Sequence, residues 1–232
     1  MKLNVKNATP SAYNLNNVDA DEISDVLVKI EKSFDIAFCD DDLKEAKTFG
    51  ALCDVVVAKV KQTHADSCTT QQAFYKLRSA INARNPDEKY LVKPQTKLCD
   101  LFPRDNRIEV VADIEAEMGF HMNLLQPKPW IVWTFGLLLV ASIALFWVNS
   151  TIATLALIVS IAGLRLAGRF GKELKVKTVG DLAEKIAREH YLKCRRDASS
   201  VNRAEVVQKV KDLFARDLAL EPSALTKEAR FA

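Results

Sequence analysis

Residues 130–164 read WIVWTFGLLLVASIALFWVNSTIATLALIVSIAGL, and from Pro129 to Leu164 there is no Asp, Glu, Lys or Arg. An uncharged run of this kind belongs in apolar surroundings, and its length decides how the rest of the chain is divided. As one helix its 36 residues would extend about 54 Å, far beyond a hydrocarbon core of about 30 Å. Asn149-Ser150, near the middle, is the natural turn. It separates a first arm, Trp130 to Val148, from a shorter second arm, Thr151 to about Gly168, which spans with Arg165 snorkelling to the interface. Trp130, Trp133 and Trp147 fall near the two ends of the first arm, where amphipathic rings sit at headgroup level. The expectation for residues 129–168 is a transmembrane helical hairpin; a buried hairpin of a soluble protein and a hairpin dipping into one leaflet are the alternatives.

The flanks orient this hairpin. Lys128 precedes it and Arg165, Arg169, Lys172, Lys175 and Lys177 follow it, while the turn carries no charge. Both termini are therefore expected on the cytoplasmic side of an inner or plasma membrane. Over all 232 residues the mean hydropathy of −0.03 conceals the segment. Lys plus Arg number 33 against 30 Asp plus Glu, too even a balance for a chain that grips nucleic-acid phosphates, so no nucleic-acid partner is expected. Seven Gly and seven Pro argue against a turn-rich β fold and for an all-α chain. Cys39, Cys53, Cys68, Cys99 and Cys194 are scattered, and His64, His121 and His190 are isolated. Neither a metal site nor a nucleophile–base pair follows from such spacing. The first residues, 1–18, have no apolar core and read as a tail, not a signal peptide.

Outside the hairpin the sequence repeats. Lys47-Thr48-Phe49-Gly50, followed by Leu52 and Val56, returns as Lys177-Thr178-Val179-Gly180, followed by Leu182 and Ile186. Each opens an amphipathic helix, and Asp181 completes with Thr178 a capping box that Ala51 breaks in the first copy. A second pair is Phe74 to Arg78, running to Pro94-Gln95-Thr96-Lys97, and Val206 to Val210, running to Glu221-Pro222-Ser223 and Thr226-Lys227. A third pair traces helix faces: Ile23, Leu27, Ile30, Phe34, and Ile108, Val111, Glu115, Met118, Phe120.

At these segments the chain resembles the acyl carrier proteins and the related peptidyl carrier domains. AEVVQKVKDLFARDLALEPSALTKEARF is similar to the family's first helix and following loop, and DADEISDVLVKIEKSFDIAFCDDDLKEAKTFGALCDVVVAKV to its helices two to four. RDNRIEVVADIEAEMGF resembles another second helix, and ELKVKTVGDLAEKIAREHYL another third and fourth. The resemblance covers most of the chain outside the hairpin, in an order circularly permuted relative to the family. It implies two small carrier-like helical bundles. One combines helices two to four at 19–62 with helix one at 202–232; the other combines helices one and two at 70–120 with helices three and four at 172–192, the hairpin inserted between. Pairing helix one within each copy is the alternative, and the neighbouring termini of a domain make either permutation feasible.

The family carries phosphopantetheine on a serine at the start of helix two. Counting back from Phe34 and from Phe120 places that position at Ala20 and at Asn106, neither of which offers a hydroxyl. The expected cofactor is therefore none. Ser67, in Ala65-Asp66-Ser67-Cys68, is the one alternative attachment site, with phosphopantetheine as its cofactor; otherwise Ser67 or a neighbouring threonine caps the helix starting near Gln71. Family partners recognise an acidic second helix, which implies docking surfaces at Asp21, Glu22, Asp25 and Glu31 in one bundle and at Glu109, Asp113, Glu115 and Glu117 in the other. Asp40-Asp41-Asp42 lacks the glycine and distal glutamate of a calcium loop and reads as helix capping. The basic stretches Arg165–Lys177 and Lys193–Arg196 are candidates for anionic headgroups.

Together these readings predict a membrane-anchored, non-enzymatic docking or scaffold protein for an acyl-processing or biosynthetic enzyme. The alternatives are a functional carrier charged at Ser67 and a membrane-structural subunit. In the latter Gly136, Ser142, Ala144, Ser160 and Gly163 would pack against other spans, a homo-oligomer included.

Overall fold

In the computed structural model, residues 18–44, 46–84 and 91–231 are described, apart from the side chain of Asp40; of the 1–18 tail only Val18 falls within them. The described chain is mostly helical. Its α-helices are α1 (Ala20–Phe34), α2 (Asp40–Lys44), α3 (Phe49–Lys59), α4 (Thr69–Arg84), α5 (Leu98–Leu101), α6 (Arg107–Met118), α7 (Pro129–Leu145), α8 (Ser150–Arg169), α9 (Val179–Glu189), α10 (Tyr191–Cys194) and α11 (Arg203–Asp217). Four two-residue strands add to the all-α expectation: β1 (Thr63–His64) pairs parallel with β4 (Ser200–Val201), and β2 (Leu125–Gln126) antiparallel with β3 (Glu173–Leu174). Strands this short show no alternation in sequence, because tertiary neighbours alone create them.

Two compact units divide the chain, one of residues 1–75 and 183–232 and the other of residues 76–182. In the first, α11 packs on α1 and on α3. Val26, Ile30 and Phe34 of α1 recur at helical spacing and are fully buried, as are Leu52 and Val56 of α3 and Val210, Leu213 and Phe214 of α11. Phe34 meets Tyr191 at 5.1 Å, and Phe49 meets Phe214 edge-on at 5.4 Å. Ser33 links α1 to the end of α9, its hydroxyl donating to the Arg188 carbonyl at 2.7 Å and accepting from the Tyr191 amide at 3.2 Å.

One short backbone ladder occurs in each unit. In the first, Phe231 donates to the Lys47 carbonyl, Phe49 to Ala229 and Gly50 to Lys227. In the second, Leu98 donates to Lys177, Val179 to Thr96 and Gly180 to Pro94. A Cβ at Gly50 would stand 2.7 Å from the Lys227 oxygen, and one at Gly180 3.1 Å from the Pro94 oxygen, so both glycines are required by close approach. Thr178 and Asp181 form the reciprocal capping box, whereas Thr48 accepts from the Ala51 amide alone.

Within the second unit α7 and α8 lie side by side. The first arm stops at Leu145, three residues before the expected Val148. Phe146, Trp147 and Val148 instead bond back three residues, and Asn149 accepts from the amides of Thr151 and Ile152 to start α8 one residue early. Gly163 accommodates the Phe135 ring, into which a Cβ would run at 2.2 Å. Ser142 and Ser160 are buried and donate to carbonyls of their own helices, Leu139 and Ala156. Of the two helices α8 is long and apolar enough to cross a membrane, with mean hydropathy 1.8, while the 17-residue α7 is shorter than such a span.

Candidate functional site

An open groove of about 670 Å³ lies in the first unit. Ile23 and Leu27 of α1, Leu43 of α2, Leu52 of α3 and Phe231 give it apolar walls, and Lys44, Lys47 and Arg230 bring three cations to its rim. Local sequence builds it. Asp35 ends α1 in the left-handed region at φ 49°, with the Glu31 carboxylate accepting from the Phe38 amide at 2.6 Å, which turns the chain into α2. Asp42 accepts from the Cys39 amide and pairs with Lys59, each at 2.6 Å. The Lys59 ammonium, together with the Cys39 amide, holds the Asp42 carboxyl below the usual carboxylate range. Asp41 pairs with Lys44. Asp41 and Asp42 thus fasten α2, and among the described residues no His, Cys, Asp and Glu cluster has metal-binding geometry.

Of the acids on α1, Asp21, Glu22 and Asp25 are exposed, while Glu31 is half-buried and spent on the Phe38 amide. The second unit divides its acids similarly. Glu109 and Glu117 are exposed, Asp113 pairs with Arg84 at 2.8 Å, and Glu115 accepts from the Met122 amide at 2.6 Å and meets His121 at 2.8 Å. Ala20 is the first helical residue of α1, following the cap Asp19, whereas Asn106 is itself the residue before α6, so the two stand at different helical positions.

Ser67 is tied down. Its hydroxyl accepts from Arg195 Nη2 at 2.7 Å and its carbonyl from Nη1 at 3.2 Å. Arg195, 2% exposed, also donates to Thr69 Oγ1 and Ser200 Oγ, and its guanidinium lies 5.7 Å from the centre of the Tyr191 ring. α4 begins at Thr69, before the expected Gln71, because the Glu205 carboxylate accepts from the Thr69 amide and hydroxyl. Burial pushes the Tyr191 phenol up; its hydroxyl donates to Glu205 at 3.2 Å. Arg195 is thereby removed from the run Lys193–Arg196 that sequence offers for headgroups. A charge run read as surface hides one buried member unless its partners are known to converge on it.

In the second unit the exit of the hairpin meets the start of α6. The buried Arg107 donates to the carbonyls of Phe102 at 2.8 Å and Lys172 at 2.6 Å, Arg104 pairs with Glu173 at 2.7 Å, and Lys172 Nζ reaches the Asp105 carbonyl at 3.1 Å. Comparison of the chain with protein-family models, with curated proteins and with solved structures finds no match.

Proposed function

We propose that this chain is a membrane-anchored docking protein, built from two carrier-like bundles that lack the attachment serine and inserted into the bilayer through the α7–α8 hairpin. The observation that carries the reading is the exposed apolar surface of that hairpin. Only 11% of the spanning window of α8 is buried, unlike the core helix of a soluble protein, and on α7 Trp133, Leu137 and Val140 stand 64–72% exposed. At about 1.5 Å per residue α7 reaches about 25 Å and α8 about 30 Å, a match to the hydrocarbon core with modest thinning. The β2–β3 pairing supports an even number of crossings, since flanks hydrogen-bonded to each other lie on one side. The repeated ladder, and α11 completing the bundle of α1 and α3, support a duplicated and permuted carrier-like unit. Asp21, Glu22 and Asp25, exposed on α1, are the surface offered to a biosynthetic or acyl-processing enzyme.

Impermeant thiol labelling of intact membranes tests the anchor. With the five native cysteines replaced, Asn149→Cys and Arg196→Cys label from opposite sides; labelling of both from one side overturns the spanning hairpin. For docking, a photo-crosslinker at the exposed Val28 captures a partner in native membranes. Asp21→Lys/Glu22→Lys/Asp25→Lys abolishes that capture, and an unchanged cross-link overturns the acidic surface.

A further inference from the structure

The flanks of the hairpin carry charge that the protein itself does not compensate. Between Pro127 and Thr178 stand six cations, Lys128, Arg165, Arg169, Lys172, Lys175 and Lys177, against one acid, Glu173. Glu173 is already paired with Arg104. Among the described residues Lys128, Arg165, Arg169 and Lys175 have no carboxylate within ion-pair distance, and all four are exposed.

Backbone geometry brings Lys128 and Lys172 of the two legs to one level, with Arg169 and then Arg165 following on the second leg. The register Gln126↔Glu173 lays Pro127-Lys128 alongside Gly171-Lys172. Approach is closest at Gly171, where a Cβ would lie 2.5 Å from the Gln126 backbone. Arg165 and Arg169 are four apart on α8 and share a face of its last turns. At the same end of the hairpin Trp130, Trp133 and Phe170 are 64%, 72% and 63% exposed, rings suited to the glycerol and headgroup layer. The opposite end, Phe146 to Ser150, carries no charge.

We propose that the base of the hairpin is a receptor for anionic phospholipid headgroups, their phosphates held between Lys128 of one leg and Arg165 and Arg169 of the other. The inference rests on the spanning reading above. Arginine's planar fork takes two phosphate oxygens at once, and the uncompensated charge favours a lipid of net negative charge over a zwitterionic one. The lipid concerned lies in the leaflet on the side of the β2–β3 pairing.

The test places the full chain in phosphatidylcholine bilayers containing spin-labelled phosphatidylglycerol or spin-labelled phosphatidylcholine, and compares the motionally restricted fractions. The anionic probe is expected to associate at least ~3-fold more strongly. Lys128→Gln/Arg165→Gln/Arg169→Gln brings the ratio close to one, while Lys32→Gln/Lys61→Gln/Arg203→Gln, which removes the same charge from exposed positions of the first unit, leaves it unchanged. A wild-type ratio near one, a preference surviving the hairpin substitutions, or equal loss in both variants overturns the headgroup site. Resistance of each protein to alkaline carbonate extraction separates the two ideas. A chain that resists extraction but shows no preference overturns the headgroup site alone, and a chain stripped from the bilayer overturns the anchor and the site with it.

Discussion

α1 and α6 end in the same way and lead to opposite results. Both close on a left-handed residue, Asp35 at φ 49° and Gly119 at φ 76°, and in both a glutamate of the last turn accepts, at 2.6 Å, from the amide seven residues on: Glu31 from Phe38 and Glu115 from Met122. Eight residues before each glutamate stand Ile23 and Arg107. In the first unit the chain continues into α2, and Ile23 is left lining an open groove. In the second it continues into β2 and the hairpin, and Arg107 is buried between the carbonyls of Phe102 and Lys172. One helix ending therefore serves a groove in one unit and leads to the apolar α7–α8 pair in the other. The segment beyond the cap, not the cap itself, decides between them.

The largest expected effect breaks this contrast at Arg107. Arg107→Ala deprives the buried Phe102 carbonyl and the part-buried Lys172 carbonyl of this donor and costs about 3 kcal/mol in chemical denaturation, whereas Ile23→Ala, at a half-exposed wall, costs about 1 kcal/mol. Equal losses would mean that the two positions play one role. A smaller difference is expected between the ladder glycines. Gly50→Ala meets the Lys227 oxygen at 2.7 Å and Gly180→Ala the Pro94 oxygen at 3.1 Å. Thermal unfolding should show a loss of about 2 kcal/mol for the first and about half that for the second.

Ser67→Ala removes one acceptor of Arg195, for a loss of about 1 kcal/mol in the same denaturation experiment. Intact mass of the wild-type chain should be unchanged by a phosphopantetheinyl transferase and coenzyme A; a gain of one arm on Ser67 would make the chain a functional carrier. The smallest effect is chemical, with no change in stability. Cys39, Cys68 and Cys99 are exposed and react quickly with an aromatic disulfide reagent, while Cys53 and Cys194 are buried and wait for denaturant. Cys53 stays silent, because burial pushes its thiol up to about 12.

Much of this was legible from one dimension. Absence of charge marks the hairpin, the spacing of Val26, Ile30 and Phe34 marks a buried helix face, and Thr178 with Asp181 marks a helix start, because each depends on residues a few positions apart. Less accessible were the stop at Leu145 and the start of α4 at Thr69. The first depends on how a tight turn shares amides with the cap Asn149, the second on Glu205, 136 residues away.

Sequence by itself determined a helical chain with an uncharged apolar run from Pro129 to Leu164, since local periodicity and hydropathy are properties of neighbouring residues. Tertiary structure alone decided that α11 lies on α1 and α3, that Arg195 is buried on Ser67 rather than exposed among its basic neighbours, and that a groove opens beside Ile23 while Arg107 closes on Lys172. The physical reason is the same in each case. Whether a buried cation is tolerated, or a cavity stays open, depends on which distant carbonyls and side chains converge there, and sequence spacing does not encode that convergence.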